Sequence, residues 1–345
     1  VSNSTVPRAR AEADATKKTP VASGDATGPR KGKPSTGKLS LRLRFRRDRV
    51  LLLMTLPAVL LVLLFNYVPI LGNVVAFQEY DPYISDNGIV SILHSPWVGL
   101  ENFQRIFEDS AFWNSVQNTL VLFVLQLVLY FPVPILLALL INSVVRPRVR
   151  AVAQAILYLP HFFSWVLVIA VFQQLLGGAG LLSQLLRDHG YDGLSLMTDP
   201  ETFKFLVTAQ SVWKDAGWGI IVFLAALASV SPDLYEAAAM DGANRWRRMW
   251  HVTLPALRPV IALLLVLRVG DALTVGFEQI LLQRDAVGPG AAEVLDTFVW
   301  WNGVRNQDFG YAAAAGLVKG VISLGLVLIA NKVAHLMGEQ GVYKK

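Results

Sequence analysis

Residues 231–259 read Ser231-Pro-Asp-Leu-Tyr-Glu-Ala-Ala-Ala-Met-Asp-Gly-Ala-Asn-Arg-Trp-Arg-Arg-Met-Trp-His-Val-Thr-Leu-Pro-Ala-Leu-Arg-Pro259. Pro232 and Asp233 are residues that open helices, and 235–240 has high helix propensity, so a helix is expected there. Gly242 then supplies a turn, because glycine tolerates backbone conformations that other residues resist. Beyond it Trp246, Met249 and Trp250 recur at helical spacing. Leu254-Pro255 is expected to halt that second helix and Pro259 to start the next element. The stretch thus predicts a compact helix–turn–helix lying at a membrane surface. Its aromatic side anchors in the interface, while small Ala237 and Ala238 permit close approach by another protein.

The membrane is implied by what flanks this loop. The 345 residues are 54% hydrophobic and only 16% charged, with a mean hydropathy of +0.46. Soluble chains devote about a quarter of their residues to charge. Apolar windows fall at 50–75, 116–141, 151–176, 204–230, 256–282 and 311–334. Each covers a hydrocarbon core of about 30 Å at a helical rise of about 1.5 Å per residue. Pro57, Pro132, Pro134 and Pro160 lie inside these windows, where neighbouring helices can satisfy the freed carbonyls. An all-α integral membrane fold with six transmembrane helices follows. Cysteine is absent, which excludes disulfides, iron–sulfur clusters and thiolate zinc sites.

The net charge of +6 hides an asymmetry: residues 1–50 hold 13 Lys/Arg against 4 Asp/Glu, which leaves the remainder slightly acidic. A basic tail ahead of a first span is a topogenic signal before it is a nucleic-acid signal, so no nucleic-acid partner is expected. Arg146, Arg148 and Arg150 crowd the second connection, Arg245, Arg247, Arg248 and Arg258 the fourth, and Lys344 and Lys345 end the chain. The first, third and fifth connections carry Asp81, Asp86, Glu101, Asp188, Asp192, Glu201, Glu293 and Asp308. Under the positive-inside rule both termini and the even-numbered loops are cytoplasmic.

The domain reading is therefore a basic, disordered cytoplasmic tail at 1–49 and a six-helix membrane domain at 50–345 containing the loop 231–259. Low apolar content keeps the tail from offsetting its ordering entropy. The run that follows it is too long, and lacks the small-residue site, for a cleavable signal peptide. Gly32, Gly37 and Lys38 fit most of a phosphate-binding loop. However, Leu39 replaces the hydroxyl that would hold magnesium, and no strand precedes the glycines, so the segment is read as a flexible linker.

Glu236-Ala237-Ala238, Asp241-Gly242-Ala243 and Leu254-Pro255 together resemble the EAA loop of binding-protein-dependent ABC importer permeases. Met249 stands where that family usually has Phe. Other stretches are similar to the carbohydrate branch of the family, the maltose-type permeases for complex oligosaccharides. These are Asn66-Tyr-Val-Pro69, Ser95-Pro-Trp-Val-Gly-Leu-Glu-Asn-Phe103, Tyr158-Leu-Pro-His-Phe-Phe-Ser-Trp165, Trp213-Lys-Asp-Ala-Gly-Trp218, Gly276-Phe-Glu-Gln-Ile280 and Glu293-Val-Leu-Asp-Thr297. The resemblance covers roughly residues 45–345. It implies a type I importer fold in which Glu236, Ala237, Ala238, Asp241, Gly242, Leu254 and Pro255 couple the spans to a separate ATPase. The implied partners are a second homologous permease, two cytoplasmic ATPase subunits and an extracellular solute-binding protein. The last would be met by the acidic outer loops, with Trp97 and Phe103 in the first. ATP and magnesium would belong to the ATPases, leaving this subunit with no cofactor, no metal and no catalytic site.

Charged residues inside spans are costly and normally face protein or water. With Arg268 at 0° and about 100° per helical residue, Asp271, Glu278 and Gln279 share one arc of about 100°, and Arg268 and Asp271 can pair. Trp213, Lys214, Asp215 and Trp218 in the fourth window suit carbohydrate, since indole faces stack on sugar rings and charged groups bond hydroxyls. All eight are candidates for a translocation path. Lys319 is expected to be paired or snorkelling, Gly316-x-x-x-Gly320 to mark close helix packing, and His161, a lone imidazole beside Phe162 and Phe163, to be packed rather than catalytic. Three rivals remain open at this level. An ion-coupled secondary transporter would need internal repeats, which are not seen by eye. An intramembrane enzyme finds no catalytic motif in any span, and a peptide substrate is compatible with the same importer type.

Overall fold

The computed structural model describes residues 49–336, so the tail with its Gly32, Gly37 and Lys38, and the terminal Lys344 and Lys345, lie outside the described residues. Among the described residues six helical stretches are long and apolar enough to cross a membrane. They are Arg49–Phe77, Ser110–Asn142, Trp165–Asp188, Phe203–Ala228, Arg245–Gly270 and Phe309–Val333, called spans one to six below. No strand occurs among them beyond a single antiparallel bridge between Gln78 and Trp97. The expected all-α, six-span architecture is the one observed.

The chain divides into two compact units, Val1–Leu63 and Leu64–Lys345. In the first, the described part is essentially the apolar helix Arg49–Val62 with Pro57 inside it. Its Thr55 hydroxyl donates back to Leu52 O at 3.0 Å, so that the polar group is satisfied within its own helix. The second unit carries the remaining elements.

Three π-turns each end two positions before a proline: Leu63–Tyr67 before Pro69, Gln126–Tyr130 before Pro132, and Met249–Thr253 before Pro255. Proline has no N–H to donate and its ring collides with the carbonyl four residues back, and a widened turn relieves both problems. Phe131 N accordingly donates to Gln126 O at 2.9 Å and Leu254 N to Met249 O, each five residues back. Leu254-Pro255 therefore does not halt a helix as the sequence suggested. Arg245–Gly270 passes through it, with Pro259 inside.

Two other boundaries move for related reasons. The window 151–176 is cut at Pro160: a helix Pro147–Tyr158 tightens into the 3-10 turn Leu159–Phe162, and Ser164 then caps Trp165–Leu176 by accepting from Leu167 N at 3.3 Å. The window 256–282 is cut at Gly270, after which the chain is irregular until the short helix Phe277–Leu281.

Packing concentrates at the two ends of the bundle. At one end Ala76, Ile106, Phe112, Phe298, Tyr311 and Ala315 cluster, joining the first connection to the starts of spans two and six. Asn102 pins that connection by donating to Ala76 O and Gln78 O, both at 3.1 Å, and Phe103 packs against Phe77 at 5.2 Å. Trp97 stays 66% exposed, so of the two aromatic residues singled out there only Trp97 is free. Ahead of span four, the Thr202 hydroxyl and the Glu201 amide hold the Asp199 carboxyl below its usual range. At the opposite end Ala138, Ile141, Ile220, Phe223, Leu227 and Leu257 join spans two, four and five. A Cβ on Gly217 would lie 1.9 Å from Leu157 O, so span four meets the helix Pro147–Tyr158 backbone to backbone, and no larger residue fits. The Gly316/Gly320 spacing does no such work within this chain, since no described atom lies within 4 Å of a Cβ at either position.

Candidate functional site

The loop 231–259 forms the expected short helix, Pro232–Met240. Pro232 sits in its first turn and the Ser231 side chain accepts from Asp233 N at 3.3 Å, an N-cap that satisfies a donor the helix cannot. None of its residues is buried, and Met240 is 89% exposed. Gly242 adopts φ +73°, and the end closes by Ala243 N donating to Ala238 O at 2.9 Å and Gly242 N to Ala239 O at 3.0 Å. This is a helix ending that depends on a left-handed residue. Asn244 then caps the next helix through Arg247 N at 2.9 Å. Glu236, Ala237 and Asp241 face solvent, with Ala238 half-buried. One side-chain bond ties this helix to span five: the Tyr235 hydroxyl lies 3.2 Å from Thr253 Oγ1, inside the π-turn preceding Leu254 and Pro255.

The candidate path residues of span four meet a partner the sequence did not pair with them. Lys214, buried, donates to His161 O at 2.8 Å, and its ammonium lies 3.6 Å from Asp215 Oδ1 and 5.4 Å from the Trp165 ring centre. His161 Nδ1 lies 2.9 Å from the same Asp215 oxygen, and its ring stacks on Trp218 at 4.6 Å and 13°. Trp213 packs edge-on against Phe172 at 5.8 Å. His161 is indeed packed beside Phe162, yet it is not a lone imidazole. It is the hub fastening the Pro160 turn to span four. Trp213 and Trp218 remain 40% and 52% exposed, so their outer faces are open for contact.

The arc proposed for Arg268, Asp271, Glu278 and Gln279 is not formed, because the helix it presupposed ends at Gly270. No ion pair joins Arg268 to Asp271 among the described residues. Arg268 instead donates to Gln126 Oε1 and sits 5.7 Å over the Tyr130 ring. Asp271 and Glu278 are exposed. Gln279 is fully buried in an amide network: its Nε2 donates to Gln210 Oε1 at 2.7 Å, Gln210 Nε2 to Gln283 Oε1 at 3.1 Å, and Ser211 Oγ to Gln279 Oε1 at 3.1 Å. This network clamps the segment after the break onto span four and leaves Gln279 no free face for a ligand.

Two polar clusters thus flank one stretch of span two. The π-turn Gln126–Tyr130 carries the Arg268 contacts and also packs against span four, which carries Lys214, Asp215 and Trp218. Gln126, Tyr130 and His161 are the members that sequence reading missed. The last lay in a quoted motif, whereas the first two are ordinary residues of an apolar window. Lys319 is paired as expected, with Asp296.

The family model described as the binding-protein-dependent transport system inner membrane component matches residues 130–337. The chain is 43% identical over 304 residues to the polygalacturonan/rhamnogalacturonan transport system permease protein YteP of Bacillus subtilis, covering 88% of this chain and 93% of that protein. It is 29% identical over 292 residues to the arabinooligosaccharides transport system permease protein AraP of the same organism, covering 84% of this chain and 90% of the relative. Among solved structures it resembles a chain of a bacterial alginate ABC transporter in complex with alginate pentasaccharide-bound periplasmic protein. That match has a TM-score of 0.79 and 36% identity, covering 88% of this chain and 99% of that one.

Proposed function

The chain belongs to the inner membrane components of binding-protein-dependent transport systems, and from that premise we propose that it is the permease subunit of a carbohydrate importer, moving an oligosaccharide by alternating access. The observation that carries the mechanism is the exposed helix Pro232–Met240, linked through Tyr235 and Thr253 to the foot of span five. A protein seated on Glu236, Ala237, Ala238, Asp241 and Gly242 would push on a lever whose other end is a membrane span, through the π-turn before Leu254 and Pro255. Two cytoplasmic ATPases supply that push, a second homologous permease completes the pathway, and a solute-binding protein delivers substrate to the outer loops. ATP and magnesium are handled by the ATPases. The arginines of the second and fourth connections support a topology in which those loops, and both termini, are cytoplasmic.

Acidic oligosaccharides are the substrates we favour. Arg268 is a half-buried membrane cation with no carboxylate partner among the described residues, held in place by Gln126 and the Tyr130 face. An uncompensated charge inside a span is costly unless a ligand or water meets it. The names of the polygalacturonan/rhamnogalacturonan permease and of the transporter for the acidic polysaccharide alginate support the same reading. The exposed faces of Trp213 and Trp218 would add stacking contacts, and Asp215, Asp271 and Glu278 would accept from sugar hydroxyls.

The test has two arms. Replacing Glu236 or Gly242 should abolish transport and ATPase assembly while membrane insertion survives, and retained transport would remove the lever. Calorimetry of the partner binding protein should show uronate oligosaccharides bound in preference to neutral glycans, whereas tight binding of peptides alone would overturn the carbohydrate assignment.

A further inference from the structure

A groove of about 1030 Å³ opens between the end of span two and the start of span five. Leu136, Leu139, Leu140 and Met249 form its apolar wall, and Leu136 and Leu140 are more than half exposed. Arg245 and Trp246, the latter 65% exposed, stand at its mouth, and the half-buried Arg248 lines it. No acidic side chain lines it, and among the described residues neither arginine has a carboxylate partner. Arg248 Nε is shielded from water yet makes no hydrogen bond. An apolar slot lined by two unneutralised cations, with an indole at its mouth, has the polarity profile of a lipid, with chain in and headgroup out.

We propose that this groove seats an anionic phospholipid of the cytoplasmic leaflet, its acyl chain along Leu136 and Leu140 and its phosphate on Arg245 and Arg248. The assignment rests on the reading that loop 231–259 faces the cytoplasm. Basic side chains just inside the inner surface attract anionic headgroups, and the planar guanidinium fork matches a phosphate better than an ammonium does. Tryptophan at the mouth belongs at headgroup depth. Tyr235 and Thr253 also line the groove, so the lipid lies against the bond that joins the surface helix to span five.

The experiment reconstitutes the complete transporter in nanodiscs of phosphatidylcholine with a minority of phosphatidylglycerol. The lipids retained after extraction are then measured by native mass spectrometry. Phosphatidylglycerol is expected to be enriched on the wild type and to fall about tenfold or more in an Arg245→Gln/Arg248→Gln variant. Leu140→Trp, which fills the slot and keeps both charges, should release it as well. Equal retention in these variants, or no preference over phosphatidylcholine in the wild type, overturns the proposal. So does a Val145→Cys that reacts with maleimide only after the ATPases are stripped, since a protein then covers the groove. Labelling of Val145→Cys from the outer side would instead sink the topology on which the importer reading depends.

Discussion

At the residue scale, the most constrained of the described glycines is Gly217, whose Cα hydrogen faces Leu157 O across a gap that admits no methyl group. Gly217→Ala should lower the thermal midpoint of the detergent-solubilised protein, because overpacking costs about 1–3 kcal/mol and the obstacle here is backbone, which yields less readily than a side chain. Gly316→Ala, inside the helix Phe309–Leu336 at a site with nothing within 4 Å, is the matched control and should raise the midpoint slightly, because alanine favours a helix interior over glycine. A charge is the other residue-scale determinant. Arg268→Gln keeps a donor for Gln126 but removes the cation. Uptake of a uronate oligosaccharide into proteoliposomes should then fall about tenfold, the loss of a charge-assisted bond, while ATPase assembly is preserved. Equal uptake by the variant would remove Arg268 from the path. Both residues were visible in the sequence, but only as types. What made Gly217 indispensable was the backbone lying across it, and Gln126 carries no sequence mark that distinguishes it as the anchor of Arg268.

At the element scale, proline placement explains both what could be read from the sequence and what could not. Apolar windows announce spans because each helix satisfies its own backbone in lipid, so six could be counted without any knowledge of their neighbours. Their interruptions depend on how the chain repairs a missing donor. At Pro160 it turns, whereas at Pro132 and Pro255 it widens and continues. The angular argument for Arg268, Asp271, Glu278 and Gln279 failed on this point, since a rotation of about 100° per residue holds only while the helix does. The Gln210–Gln279–Gln283 network was equally out of reach, because uncharged residues at such separations become a unit only once the fold brings them together. In the proposed mechanism the π-turn at Met249–Thr253 is also a mechanical part. Pro255→Ala returns the missing N–H and lets the helix regularise, which would rotate the segment before it by about 100° relative to the span and pull Thr253 away from Tyr235. Such a variant should still insert, bind its ATPases and hydrolyse ATP, but move fewer substrate molecules per ATP. An unchanged transport-to-hydrolysis ratio would show that the bulge is idle.

At the scale of the whole molecule, the decisive property is orientation, which charge distribution sets and chain composition makes testable. The chain contains no cysteine, so any introduced thiol is unique and reports its own side of the membrane. Ala239 and Asp192 are both exposed, on the surface helix and in the third connection respectively. Ala239→Cys should react with an impermeant maleimide only in inside-out vesicles, and Asp192→Cys only in right-side-out ones. Binding of the ATPases should further protect Ala239→Cys and leave Asp192→Cys untouched, because the two lie on opposite faces of the bilayer under the arginine distribution. Labelling of both from one side would break the alternation of loops on which the lever, the lipid groove and the delivery of substrate from outside all depend. Labelling from opposite sides without protection would keep the topology and remove the surface helix as the ATPase seat.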